Sequence, residues 1–199
     1  IDHDQAGIVH KASDTLHVVP LAPKTLALID ALKEDGVADD LVFDSDIGVR
    51  AAIHQIEAGA VLFEDELRLL ENAEVVDYLA DTFGDSPDVV YLSHYRSTRA
   101  KLAERFKKAR LLSSIADAEG VDLSDAKHLV VVNTGYSGAK FAQLRERGVN
   151  LNRKTPAVVH HITTAGGLSG EVYAAVSEKK DFNLRAFRNF RAANTIPHS

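Results

Sequence analysis

The sequence predicts a three-layer α/β/α fold, a flavodoxin-like, mostly parallel sheet of five or six strands with helices on both faces. Three observations carry this reading. Short apolar runs alternate along the chain with longer stretches whose apolar residues recur at helical spacing. The runs are apolar at successive positions rather than at every second one, as expected of strands covered on both faces. Two of them, LVVVNTGYSG at 129–138 and AVVHHITTAGGLSG at 157–170, empty into loops of glycines and hydroxyls that open a helix, as strand-to-helix turns of parallel sheets do.

In chain order the strands are expected at 16–19, 41–43, 60–63, 89–92, 128–132 and 157–161. A helix over 26–34 ends at Gly36, and Ser45 caps a helix over 46–58 that stops at Gly59. Leu69, Ala73, Val76 and Ala80 give 65–83 a helical period before Gly84 and Pro87 end it. Leu102, Phe106, Ala109 and Ser113 do the same for 99–118, which closes at Gly120. A last internal helix over 138–147 closes at Gly148.

The 199 residues are 45% apolar, and no linker-like stretch divides them. The expectation is one α/β domain over 1–199 with a basic amphipathic segment at 179–199. A formal charge of -6 argues against a general nucleic-acid binder, although charge can be unevenly placed. Cysteine is absent, which excludes disulfides, thiolate metal sites and a cysteine nucleophile. No apolar run approaches the roughly 18 residues of a membrane helix, so no membrane contact and a cytoplasmic location are expected.

The two glycine loops are the candidate site. Free backbone N–H groups and the positive end of a helix dipole suit an anionic ligand, and adjacent parallel strands would bring both loops to one cleft. Each could equally be an ordinary turn that needs glycine for φ > 0. Neither fits a known phosphate or nucleophile motif. Lys140 follows Ala139 rather than completing a G-x-x-x-x-G-K-[ST] loop, no G-x-G-x-x-G occurs, and Gly167-Leu168-Ser169-Gly170 is one residue short of G-x-S-x-G. His160 and His161 point to opposite faces of one strand and cannot share a metal; no metal site is expected, and the remaining histidines read as scattered, solvated or hydrogen-bonded groups. His161 is retained as a ligand contact because it stands near the second loop. Asp44 and Asp46 could face the cleft but read first as helix caps, and Asp65 as a helix start. In the C-terminal segment Lys179, Lys180, Arg185, Arg188 and Arg191 interleave with Phe182, Phe187 and Phe190. Such a helix either docks its phenylalanines on the core or a second subunit, or contacts nucleic acid.

Taken in order, these segments resemble the precorrin-8X methylmutases, the cobalt-precorrin-8 isomerases of corrin biosynthesis. IDHDQAGIVHKASDTL at 1–16 looks like that family's opening helix, and LIDALKEDGVADDLVFDSDIGVRAAIHQIEAGAVLFED at 28–65 like its core signature. KARLLSSIADA at 108–118 is similar to its Thr-Arg-Ser-Ala-Ala helix through Arg110, LVVVNTGYSGAKFAQL to its Asn-Ala-Pro-Thr-Ala loop, and TPAVVHHITTAGGLSGEVYAAVSEKK to its glycine-rich turn and following helix. The likeness departs from the pattern at three places. The family's histidine falls on Asp30, its first hydroxyl on Ala12 with Ser13 one step away, and its loop motif on Asn133 to Ser137 one residue out of register.

The resemblance implies an isomerase that moves a methyl group on a polycarboxylated tetrapyrrole without metal, redox cofactor or covalent nucleophile. Asp30 would be the proton source, provided burial keeps it protonated. Ser13, Arg110, Thr134, Gly135, Ser137, His161, Thr163, Gly166 and Gly167 would hold the substrate. The resemblance also implies a homodimer, for which Phe182, Phe187 and Phe190 offer apolar anchors. The alternative is a non-catalytic assembly or nucleic-acid-associated protein on the same α/β scaffold, with the C-terminal segment as its contact.

Overall fold

The computed structural model describes residues 13–113, 123–147 and 157–193. Its elements run β1 (Ser13–Pro20), α1 (Pro23–Asp35), β2 (Val37–Ala38), β3 (Leu41–Val42), α2 (Asp46–Ile56), β4 (Ala60–Phe63), β5 (Glu66–Leu69), α3 (Glu74–Thr82), β6 (Val89–Ser93), α4 (Arg96–Arg105), β7 (Arg110–Leu112), β8 (His128–Asn133), α5 (Gly138–Arg147), β9 (Val158–Ala165), α6 (Ser169–Ser177) and α7 (Leu184–Ala193). Five strands form a wholly parallel sheet in the order β1-β9-β8-β6-β7. This is the expected α/β/α architecture. The continuously apolar β6 is buried at every residue, and β8 at all but its first, because helices cover both faces.

One face packs Val19, Tyr91, Val130 and Ile162 against Val76 and Leu79 of α3 and Leu102 of α4. The other packs Val90, Leu92, Val131 and Val159 against Leu144 of α5. A further core joins α1, α2, α6 and α7 through Ile29, Ile53, Val172 and Phe187. Among the described residues, no helix is long and apolar enough to cross a membrane.

Three expected elements differ. The runs at 41–43 and 60–63 do not enter the main sheet; each is one arm of a separate antiparallel hairpin. In the second hairpin Glu64 and Asp65 both take positive φ, 50° and 61°, the two-residue turn that matches strand twist. The stretch read as a helix from residue 65 is therefore a turn, β5 and then α3, so Asp65 starts no helix. The helix expected over 99–118 stops at Phe106. The Asp85 carboxylate accepts the backbone N–H groups of Lys107, Lys108 and Ala109 at 2.9, 2.7 and 2.8 Å, which turns the chain out of the helix and into β7. Residues 114–118 of that stretch, and 1–12 of the expected opening helix, lie outside the described residues; 13–16 are strand.

The C-terminal segment folds back on the domain. Phe182, Phe187 and Phe190 are buried in the chain's own core, so they are not the anchors of a homodimer. Arg188 and Arg191 hold Asp46 at 2.7 and 2.9 Å, and Lys180 pairs with Glu178 at 3.0 Å. Arg188 leads the interactions that hold the Asp46 carboxyl below its ordinary pKa.

Candidate functional site

In an open α/β sheet the ligand crevice forms where successive connections leave in opposite directions. Here that point lies between β6 and β8. The chain leaves β6 toward β7 on one side and leaves β8 toward β9 on the other. The register shifts between Leu92 and Ser93, so that Ser93 pairs with Asn133 at the strand ends. The loops at 93–95 and 134–137 diverge around a cavity of about 480 Å³. Its walls are Leu92, Val131, Phe141 and Leu144; Thr134, Gly135, Ser137 and Gln143 add polar groups, and His94 and Lys140 stand in the lining as well.

The floor of this site is a hydrogen-bonded polar layer. The Ser93 hydroxyl donates to Asn133 Oδ1 at 2.7 Å, and Asn133 Nδ2 donates to the His54 carbonyl at 3.1 Å. The phenol oxygens of Tyr95 and Tyr136 are 2.5 Å apart, and Tyr136 OH lies 3.3 Å from His54 Nδ1. The Arg50 guanidinium stacks over the Tyr136 ring at 4.0 Å from its centroid. Burial pushes Tyr136 up to about 12 and Tyr95 well above the phenol range, and it lowers His54 to about 3. All three are neutral near pH 7, so this layer positions the loops rather than exchanging protons.

The second glycine loop is already occupied. Helix α2 ends by sending Glu57 into it, where the carboxylate accepts Leu168 N–H and, at 3.3 Å, Ser169 N–H at the start of α6. A Cβ at Gly167 would lie 2.0 Å from Glu57 Oε1, so glycine is required by the approach of this side chain. Burial, opposed by these hydrogen bonds, raises the Glu57 pKa to about 7. The anion expected here is thus the protein's own.

The predicted site residues therefore divide. Strands β8 and β9 are adjacent and parallel, and both glycine loops lie at the same end of the sheet. Thr134, Gly135 and Ser137 line the cavity. Gly166 and Gly167 belong to the loop that Glu57 fills, with Gly166 at φ 84° against Leu26. Thr163 is buried and donates to the His17 carbonyl at 2.8 Å. His161 is fully buried between Phe141 and Tyr173, 3.4 Å from Asp14. Ser13 pairs with Val158 and Arg110 with Val90, which puts both toward the opposite end of the sheet; Arg110 begins β7 and pairs with Asp125 at 2.9 Å. Asp30 is exposed on α1, so the burial its proposed acid role requires is missing.

Sequence reasoning missed Glu57, His54, Tyr95 and the cavity's Gln143. It also missed a chain of histidines across three strands: His17 Nε2 lies 2.8 Å from His160 Nδ1, and His160 Nε2 lies 3.0 Å from His128 Nδ1. Tyr78 OH extends it, 2.6 Å from His17 Nδ1. Among the described residues, no group of three or more acidic, histidine or cysteine side chains could hold a metal ion.

No known protein-family profile matches the chain. Its fold is similar to that of the C-terminal part of the Fun30 ATPase domain, with a TM-score of 0.60 at 8% identity over 92% of this chain and 96% of that one. It is also similar to the Sulfolobus solfataricus SWI2/SNF2 ATPase core in complex with dsDNA, with a TM-score of 0.53 at 14% identity over 97% of this chain. The chain spans 51% of that second structure. These likenesses overturn the reading as a precorrin-8X methylmutase, and with it the tetrapyrrole ligand and the methyl-shift chemistry: the fold is similar to that of these ATPase domains.

Proposed function

We propose that the chain is a nucleic-acid-binding lobe of a RecA-like ATPase core, and that it meets the phosphate backbone at the sheet edge between β6 and β8. The observation that carries this is a pair of exposed cations, Lys140 in the lining of the crevice and Arg96 at the start of α4, together with the N-terminus of α4, which has no side-chain cap; at α5 the Gly138 and Lys140 N–H groups already donate to Asp181 and Ser137. Backbone N–H groups, helix dipoles and cations are the groups that contact phosphates without reading sequence. Because the whole chain carries a charge of -6, such a contact has to be local. The dsDNA of the SWI2/SNF2 structure supports a nucleic acid as the partner.

The sequence has no G-x-x-x-x-G-K-[ST] loop, and the chain spans half of the SWI2/SNF2 core. In this reading ATP phosphates are cradled by a second lobe, and this one supplies nucleic-acid contact. The C-terminal segment is the weaker interface, since its phenylalanines are core and most of its cations are paired. The test is fluorescence anisotropy of a labelled duplex titrated at several salt concentrations. Binding should weaken steeply with salt, and Arg96→Ala with Lys140→Ala should reduce the log–log slope by about one for each phosphate that is no longer neutralised. Absence of binding, or a double variant that binds like the parent, overturns the proposal.

A further inference from the structure

We infer that the crevice between β6 and β8 takes one unstacked base of a nucleic-acid strand; the inference rests on the reading above. A contact to phosphates alone needs a cationic ridge and has no use for a hole. Here the ridge borders a cavity of about 480 Å³, within the roughly 300–1,000 Å³ of pockets that hold small organic ligands. Its walls are hydrocarbon: Leu92 and Val131 from neighbouring strands, Phe141 and Leu144 from α5. Against these four side chains an anion would lose hydration, and the Lys140 cation in the lining is a single charge. A base has apolar faces that such walls cover, and polar edges that the Thr134 hydroxyl and the Gln143 amide can meet as donor or acceptor.

The same helix supplies both halves of the recognition. Lys140 and Leu144 stand four residues apart on α5, so the cation lies one turn from the apolar wall on the same face. A phosphate held by Lys140 therefore sits beside the cavity into which its base would turn. A strand brings one phosphate per base, which a single lysine can serve; burial, with Lys140 and Arg99 nearby, lowers the His94 pKa and favours its uncharged form. A free nucleoside triphosphate is cradled by a G-x-x-x-x-G-K-[ST] loop, a spacing that Gly135, Gly138 and Lys140 do not reproduce. Extracting a paired base costs a few kcal/mol, so single-stranded or mismatched positions are the preferred substrate and perfect duplex the poorer one.

The experiment uses oligonucleotides carrying a terminal dye and one internal 2-aminopurine, whose emission is quenched by stacking. A single titration then reads binding by dye anisotropy and unstacking by 2-aminopurine emission. At protein concentrations that saturate the anisotropy, emission should rise severalfold for single-stranded and mismatched probes and less for the perfect duplex. Leu144→Phe fills the cavity and should abolish the rise at saturation, while Leu144→Ala, which enlarges it, should keep the rise; thermal melts establish that each variant is folded. Saturated anisotropy with unchanged emission overturns the base pocket while leaving phosphate binding in place. No anisotropy change overturns the nucleic-acid reading itself. Adenosine monophosphate that suppresses the emission at constant anisotropy would make the occupant a free nucleotide and overturn the strand assignment.

Discussion

Replacing Glu57 with glutamine should make the protein more stable, and increasingly so as the pH rises from 5 to 8. The buried carboxyl titrates near 7 in the folded chain, against 4.5 for an unhindered side chain. Below about pH 4.5 it is protonated in both states and its titration is neutral. Between about 4.5 and 7 the unfolded chain releases a proton that the folded chain keeps, so stability falls with rising pH and stays low above it. At about 1.36 kcal/mol per pH unit the gap amounts to about 3 kcal/mol. Glutamine keeps a carbonyl oxygen for the Leu168 and Ser169 N–H groups without the buried charge. Urea unfolding followed by circular dichroism at pH 5, 6, 7 and 8 should show parent and Glu57→Gln alike at pH 5 and separated by up to about 3 kcal/mol at pH 8, or about 6–12 °C in Tm. A variant less stable than the parent at pH 8, with a deficit that grows with pH, would refute the reasoning. It would mean that the loop N–H groups and the α6 dipole stabilise the carboxylate by more than burial costs it.

His54 and His160 should together set the acid side of the same profile: burial lowers their pKa values to about 3 and about 4, so stability present above about pH 6.5 is lost as pH falls toward 4, and His160→Gln should flatten part of that limb in the same unfolding series. Gly167→Ala should destabilise by about 1–3 kcal/mol or more, because its Cβ must displace the Glu57 carboxylate; in a Glu57→Ala background the cost should shrink, read as non-additive Tm shifts. Gly135 has open space around its Cα and no positive φ, so Gly135→Val should leave Tm nearly intact while weakening duplex binding in the anisotropy assay.

The three inner strands were legible because burial on both faces writes itself as unbroken apolar runs, as in Val89 to Leu92 and Leu129 to Val132. The hairpins were not, because Leu41, Ala60, Val61 and Phe63 are buried and their runs look locally like sheet strands. The Glu64-Asp65 turn lacks the glycine or asparagine that announces positive φ. Strand β7 was hidden by a helical period that Asp85, more than twenty residues upstream, interrupts. At the site, an apolar strand ending in glycine and hydroxyl residues was enough to place the first loop at a strand end, where Thr134, Gly135 and Ser137 border the crevice. That the second is filled by Glu57, from a helix more than a hundred residues earlier, is a consequence of tertiary packing that no local motif records. The histidine chain is similar: only the order β1-β9-β8 aligns His17, His160 and His128 on one diagonal.

The most direct test of the central claim is hydrogen–deuterium exchange with and without duplex DNA at low salt. Exchange should slow in the segments at 94–99 and 134–140, where α4 and α5 begin, with residues 185–193 of α7 unaffected. Protection confined to the C-terminal helix, with the β6 and β8 loops unchanged, would contradict that claim.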